Sequence, residues 1–136
     1  MKLVTKDVHY AIKSLLYIAK DPDRVVSVNE LVDKLNMRKA FLRRIMQVLS
    51  KRGILKSLRG SCGGFLLKIK PDKIRIIDIV SIFRGDVETF SCIFEKDICP
   101  YPGSCLLMRK MENIEFQLNS LLKNITIAKL FKSIDR

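Results

Sequence analysis

The chain reads as mainly α with a small β-hairpin wing, a winged helix-turn-helix followed by a long C-terminal dimerisation helix. Three observations predict this. Two capped amphipathic helices adjoin each other ahead of Gly53. Two short apolar segments flank the glycine-bearing turn Arg59-Gly-Ser-Cys-Gly-Gly64. A heptad pattern of apolar residues then runs from Leu107 to Ile125.

The first helix is predicted over 7–20. Val8, Ala11, Ile12, Leu15, Leu16 and Ala19 recur there at helical spacing, and Asp21-Pro22-Asp23 ends it. Ser27-Val-Asn-Glu30 is a capping box: the Ser27 hydroxyl accepts from the third helical N–H, and Glu30 reaches back. It opens a helix over 28–35 that Asn36 ends. The next helix spans 38–52, with Gly53 as the residue past its C-cap. Two helices across a tight turn form a helix-turn-helix.

This second helix has an apolar face of Phe41, Leu42, Ile45, Val48 and Leu49. Its other face carries Arg38, Lys39, Arg43, Arg44 and Gln47. Those near its N-terminus are what a recognition helix presents to base edges, where arginine on guanine is the commonest specific contact.

Ile54–Leu58 and Phe65–Ile69 read as the strands of a wing, with Arg59 and Gly60 in its turn. A basic side chain there can enter the narrow minor groove. Glycine at 60, 63 and 64 allows positive φ or close backbone approach. The turn lacks the following helix that a phosphate-cradling P-loop requires. Cys62 reads as a small residue tolerated in this turn.

A short helix is predicted over 76–83, stopped by Gly85, and a long helix from Cys105 to about Asn124. In the long helix Leu107, Met111, Ile114, Leu118, Leu121 and Ile125 alternate at spacings of four and three, a dimerisation seam. Leu106 and Leu122 could supply a second stripe. Thr126 caps a last helix through Phe131. The chain divides into a winged-helix domain, 1–85, a cysteine-rich loop, 86–105, and the helices of 106–136.

The net charge is +12 over 136 residues. Residues 1–70 hold 16 Lys/Arg against 5 Asp/Glu, and 11 basic residues lie between Asp33 and Asp72 without an acid. Such density points to a polyanion partner. Hydrophobic residues make up 48%, which excludes a disordered chain. No run of 18 apolar residues is present, so no membrane span is expected. The N-terminus lacks a uniform apolar core, so no signal peptide is expected and a cytoplasmic location follows. His9 is the only histidine, and no catalytic grouping accompanies it, so the chain is not expected to be an enzyme.

Cys92, Cys99 and Cys105 crowd one loop, spaced C-x6-C-x5-C. That is too wide for a zinc knuckle. An iron–sulfur cluster is larger and can be reached by wider loops, and three cysteines leave one ligand position for another group. A disulfide between two of them is the alternative, disfavoured in a reducing cytosol.

The chain resembles the IscR/NsrR family of winged-helix transcriptional regulators. The resemblance covers nearly the whole length. It rests on M-K-L-V-T-K at the start, G-I-L-K-S-L-R-G-S-C-G-G-F-L-L at the wing, the three cysteines, and L-K-N-I-T-I-A-K-L near the end. It implies a homodimer on a palindromic operator in double-stranded DNA. It also implies a 2Fe–2S or 4Fe–4S cluster on Cys92, Cys99 and Cys105. The first cysteine gap is one residue longer than the family's usual five. IscR-like members place a histidine where Met108 stands here. NsrR-like members use an acidic residue of the first helix, supplied by the partner subunit. His9 aligns with that position and Asp7 lies beside it. Arg43-Arg44 replaces the Glu-Gln of IscR, so the operator need not match.

The function this implies is a transcriptional repressor that senses cluster supply, nitric oxide or redox state. The rivals are a cluster-free thiol regulator and a module that binds a metabolic enzyme. An electron-transfer protein would have no need of the basic stripe.

Overall fold

The computed structural model describes residues 3–85 and 105–134; Cys92 and Cys99 lie outside them. Within these limits the chain forms α1 (Lys6–Ile18), α2 (Val28–Leu35), α3 (Lys39–Lys51), β1 (Leu55–Leu58) and β2 (Gly64–Leu67). A 3₁₀ turn (Pro71–Lys73), α4 (Ile76–Arg84), α5 (Leu106–Lys123) and α6 (Ile127–Ile134) follow.

The apolar stripe of α1 buries Val8, Ala11, Leu15 and Ile18. Against it lie Leu31 of α2 and Leu42, Ile45, Met46 and Leu49 of α3. Each large side chain buried this fully contributes about 1.5–3 kcal/mol relative to exposure. Ser14 is buried in the same stripe and remains satisfied, its hydroxyl donating to the Tyr10 carbonyl at 2.8 Å.

Asn36 turns α2 into α3 with φ 53°, a conformation that asparagine tolerates. Gly53 leaves α3 at φ 81° and releases the chain into the wing. The strands pair antiparallel, Leu55 opposite Leu67 and Leu58 opposite Gly64. Val26 and Phe65 exchange two backbone hydrogen bonds of 2.8 Å, which ties the wing to the segment entering α2. A Cβ at Gly64 would strike the Val26 carbonyl, so only glycine permits that approach.

One half of the predicted capping box forms. The Ser27 hydroxyl accepts from the Glu30 amide at 3.1 Å. The Glu30 carboxylate does not return to the Ser27 amide. It takes two hydrogen bonds from Arg24, 2.8 and 2.6 Å, and one from the Tyr17 hydroxyl, 2.8 Å. A bidentate guanidinium outcompetes a single amide for a carboxylate.

The C-terminal helix returns to the first domain. The Ile76 amide donates to the Ile125 carbonyl and the Ile127 amide to the Ile74 carbonyl, both at 2.9 Å. Ile127 is fully buried in the same core as α1. Thr126 caps α6 as its sequence predicts, its hydroxyl accepting from the Lys129 amide at 3.2 Å.

The apolar residues of α5 divide between two faces. Leu118 and Leu122 pack against the domain's own core. Leu107, Ile114 and Leu121 are exposed by 55, 50 and 65%. The single predicted seam is therefore a domain-facing stripe beside an open stripe of period seven.

Candidate nucleic-acid interface

The basic side chains predicted to meet DNA come from two elements joined by one core. Leu42, Ile45, Met46 and Leu49 bury one side of α3, and this turns Lys39, Arg43, Arg44 and Gln47 outward, all exposed. Arg38 stands at the N-cap, also exposed, and makes no side-chain hydrogen bond there. The first turn of α3 holds no acid, so the positive end of its dipole faces outward uncompensated.

The wing carries Arg59 directly after β1, exposed, followed by Gly60 at φ 112°. That φ excludes ordinary side chains from position 60. A Cβ at Gly63 would meet the carbonyls of Leu58 and Gly60, so the turn is tight at both ends.

The first turn of α1 adds a group that periodicity does not reveal. Tyr10 meets Phe41 edge to face, centroids 5.1 Å apart at 81°. The Arg44 guanidinium lies 5.0 Å from the Phe41 ring centre on one side, and the Lys6 ammonium lies 5.4 Å from it. Asp7 Oδ1 reaches Arg44 Nη2 at 3.5 Å. Lys6, Tyr10, Asn36, Arg38 and Phe41 line an open recess of about 390 Å³ beside the start of α3. The i, i+3 pair Phe41–Arg44 was a usable sequence signal for this stacking.

Cys105 is the member of the cysteine trio inside the described residues. It stands immediately before α5, half-buried, with a free thiol. A free thiol there fits the soft donor set that iron–sulfur ligation requires. Cys62 is exposed and free in the wing turn. His9 is exposed on α1, on the opposite flank of Val8 from Asp7. Its ring has no partner among the described residues, whereas Asp7 is engaged by Arg44. No three His, Cys, Asp or Glu side chains among the described residues gather into a metal-sized group. No helix among them is long and apolar enough to cross a membrane.

The sequence profile of the Rrf2 family, described as iron-dependent transcriptional regulators, matches residues 4–133. The chain belongs to the Rrf2 family. An HTH-type transcriptional regulator of Aquifex aeolicus is 34% identical over 125 residues, 90% of this chain and 87% of that one. CymR, the global cysteine regulator of B. subtilis, superimposes with a TM-score of 0.81 at 20% identity, covering 98% of both chains. IscR of T. potens gives 0.76 at 23% identity, covering 98% of this chain and 88% of that one. The Rrf2 chain described here is thus a DNA-binding, winged-helix transcriptional regulator and not an enzyme. Its helix-turn-helix and wing are those expected from its sequence.

Proposed function

We propose that this Rrf2 regulator is a homodimer whose affinity for a palindromic operator is set by an iron–sulfur cluster held on Cys92, Cys99 and Cys105. The observation that carries the DNA half is the outward basic face of α3, a helix with no acid of its own, together with the exposed Arg59 in the wing turn. Phosphate contacts supply affinity, and Arg38, Lys39, Arg43 and Arg44 with Arg59 and Gly60 supply position and sequence. Two such surfaces in a dimer meet half-sites about one helical turn apart. The open stripe Leu107, Ile114 and Leu121 supports the dimer, since each side chain remains largely exposed in a single chain.

The cluster half rests on the cysteine trio, on the family's iron dependence and on the free thiol of Cys105 at the foot of α5. When bound, the cluster supplies a redox- and ligand-sensitive crosslink between the cysteine segment and the start of the dimer helix. His9 of the partner subunit completes its ligand set. The supporting observation is that His9 projects without a partner while Asp7 is taken by Arg44.

The test is protein purified without oxygen. Iron, sulfide and the visible spectrum should be lost in Cys92→Ala, Cys99→Ala and Cys105→Ala and kept in Cys62→Ala. His9→Ala should alter the spectrum and raise oxygen lability without unfolding the chain. Full cluster in Cys92→Ala overturns the assignment.

The relative CymR, a cysteine regulator by its description, keeps a second reading in play: thiol regulation without a cluster. Protein that carries no iron or sulfide, yet loses DNA affinity reversibly on oxidation, would establish it.

A further inference from the structure

A cavity of about 310 Å³ opens where the wing roots, the end of α3 and α4 meet. That size lies at the small end of metabolite sites. Ile54, Ile69, Ile74 and Ile82 form its walls. Ile54 and Ile74 are only 4 and 2% exposed, so those walls are held by the core.

Four polar side chains complete the lining. Asp78 is already engaged by Arg75, which donates to its two carboxylate oxygens at 3.0 and 2.9 Å. Arg52 and Lys73 have no acidic partner among the described residues, and the Ser81 hydroxyl makes no hydrogen bond among them. Arg52 and Lys73 stand exposed at the cavity's rim over isoleucine walls, an arrangement that suits an anion with an apolar body. Phosphate would set a strongly hydrated ion against hydrocarbon, and a neutral hydrocarbon would make no use of either cation. The Asp78 carboxylate on the same lining disfavours a dianion.

We propose that this cavity binds a small monocarboxylate with a short branched aliphatic chain. Its carboxylate lies between Arg52 and Lys73, and its chain lies against the isoleucines. A guanidinium suits such a carboxylate because it can donate two parallel hydrogen bonds. The position gives the site leverage on the fold. Arg52 is the C-cap of α3, and Ile54 and Lys68 share the last hydrogen bond at the wing's base, 3.0 Å. The inference does not depend on the cluster or on DNA binding.

The experiment uses the full chain with ¹³C-labelled isoleucine methyl groups, titrated with sodium 3-methylbutanoate. The methyls of Ile54, Ile69, Ile74 and Ile82 should shift saturably, while 3-methylbutan-1-ol and sodium phosphate leave them in place. Arg52→Gln with Lys73→Gln should weaken the apparent affinity about tenfold or more, since a charged hydrogen bond is lost. Arg52→Lys, which keeps the charge but not the two parallel hydrogen bonds, should bind with an affinity between those of the parent and the double variant. A dispersed methyl spectrum in each variant reports an intact fold. Unmoved methyls in the parent chain overturn the proposal. So does an equal response to the alcohol, or undiminished binding in the double variant.

Discussion

Asp7 Oδ1 lies 3.5 Å from Arg44 Nη2 and joins the first turn of α1 to the outward face of α3. The same arginine stacks on Phe41, so its guanidinium is held from two sides. An acid from the first helix thereby partly neutralises a cation proposed to meet DNA. The pair also leaves His9, two residues on, as the unengaged donor of that helix.

Replacing Asp7 by Asn frees Arg44. The pair is solvent-exposed, so thermal stability should change by less than about 0.5 kcal/mol. Affinity for any duplex should rise, and the log–log salt slope should steepen by about one as Arg44 gains a phosphate. Fluorescence anisotropy across a salt series checks both. Weaker binding would mean that Asp7 positions Arg44 for DNA rather than restraining it.

Arg43→Ala and Arg59→Ala should each lose about 1–3 kcal/mol on the cognate operator if they read base edges. On unrelated duplex the loss should be smaller. Competition binding with both duplexes separates the cases, and equal losses would reduce the two residues to phosphate contacts.

The two faces of α5 make opposite predictions. Ile114→Asp places a charge on the open stripe, so sedimentation should show monomers that still unfold cooperatively near the parent temperature. Leu118→Asp places the charge against the domain's core and should destabilise the chain by several kcal/mol. A stable dimer of Ile114→Asp would remove the stripe from the interface.

Glu30 links acid stability to a single carboxylate. Hydrogen bonds from Arg24, then from Tyr17, lower its pKa to about 2. In the unfolded chain it titrates near ~4.3. A depressed folded value stabilises the protein above the unfolded pKa, and that contribution disappears as pH falls through about 2. The parent melting temperature should therefore fall more steeply than that of Glu30→Gln between pH ~4.3 and ~2. Parallel curves would show that the Arg24–Glu30–Tyr17 cluster does not bear on folding. Ser27→Ala should separately cost about 1 kcal/mol through the lost cap.

Local rules placed most elements correctly from the chain alone. The stop at Asn36, the C′ glycine at 53, the helix ending at Gly85 and the Thr126 cap all depend on neighbours in sequence, and each appears in the structure. The outward basic face of α3 followed from periodicity, because burying Leu42, Ile45 and Leu49 forces Arg43 and Arg44 to the other side. Met46 also proved buried, within the same core cluster.

Tertiary structure decided whatever depended on which partner reached a group first. The Glu30 carboxylate went to Arg24 and Tyr17 because a chelating cation binds it more strongly than one amide. The apolar residues of α5 share one heptad pattern, yet only their angle to the core separates Leu118 from Ile114. Asp7 and His9 are two residues apart in sequence. On a helix that spacing sends one toward Arg44 and the other to open solvent, and only the packing of α1 on α3 settles which.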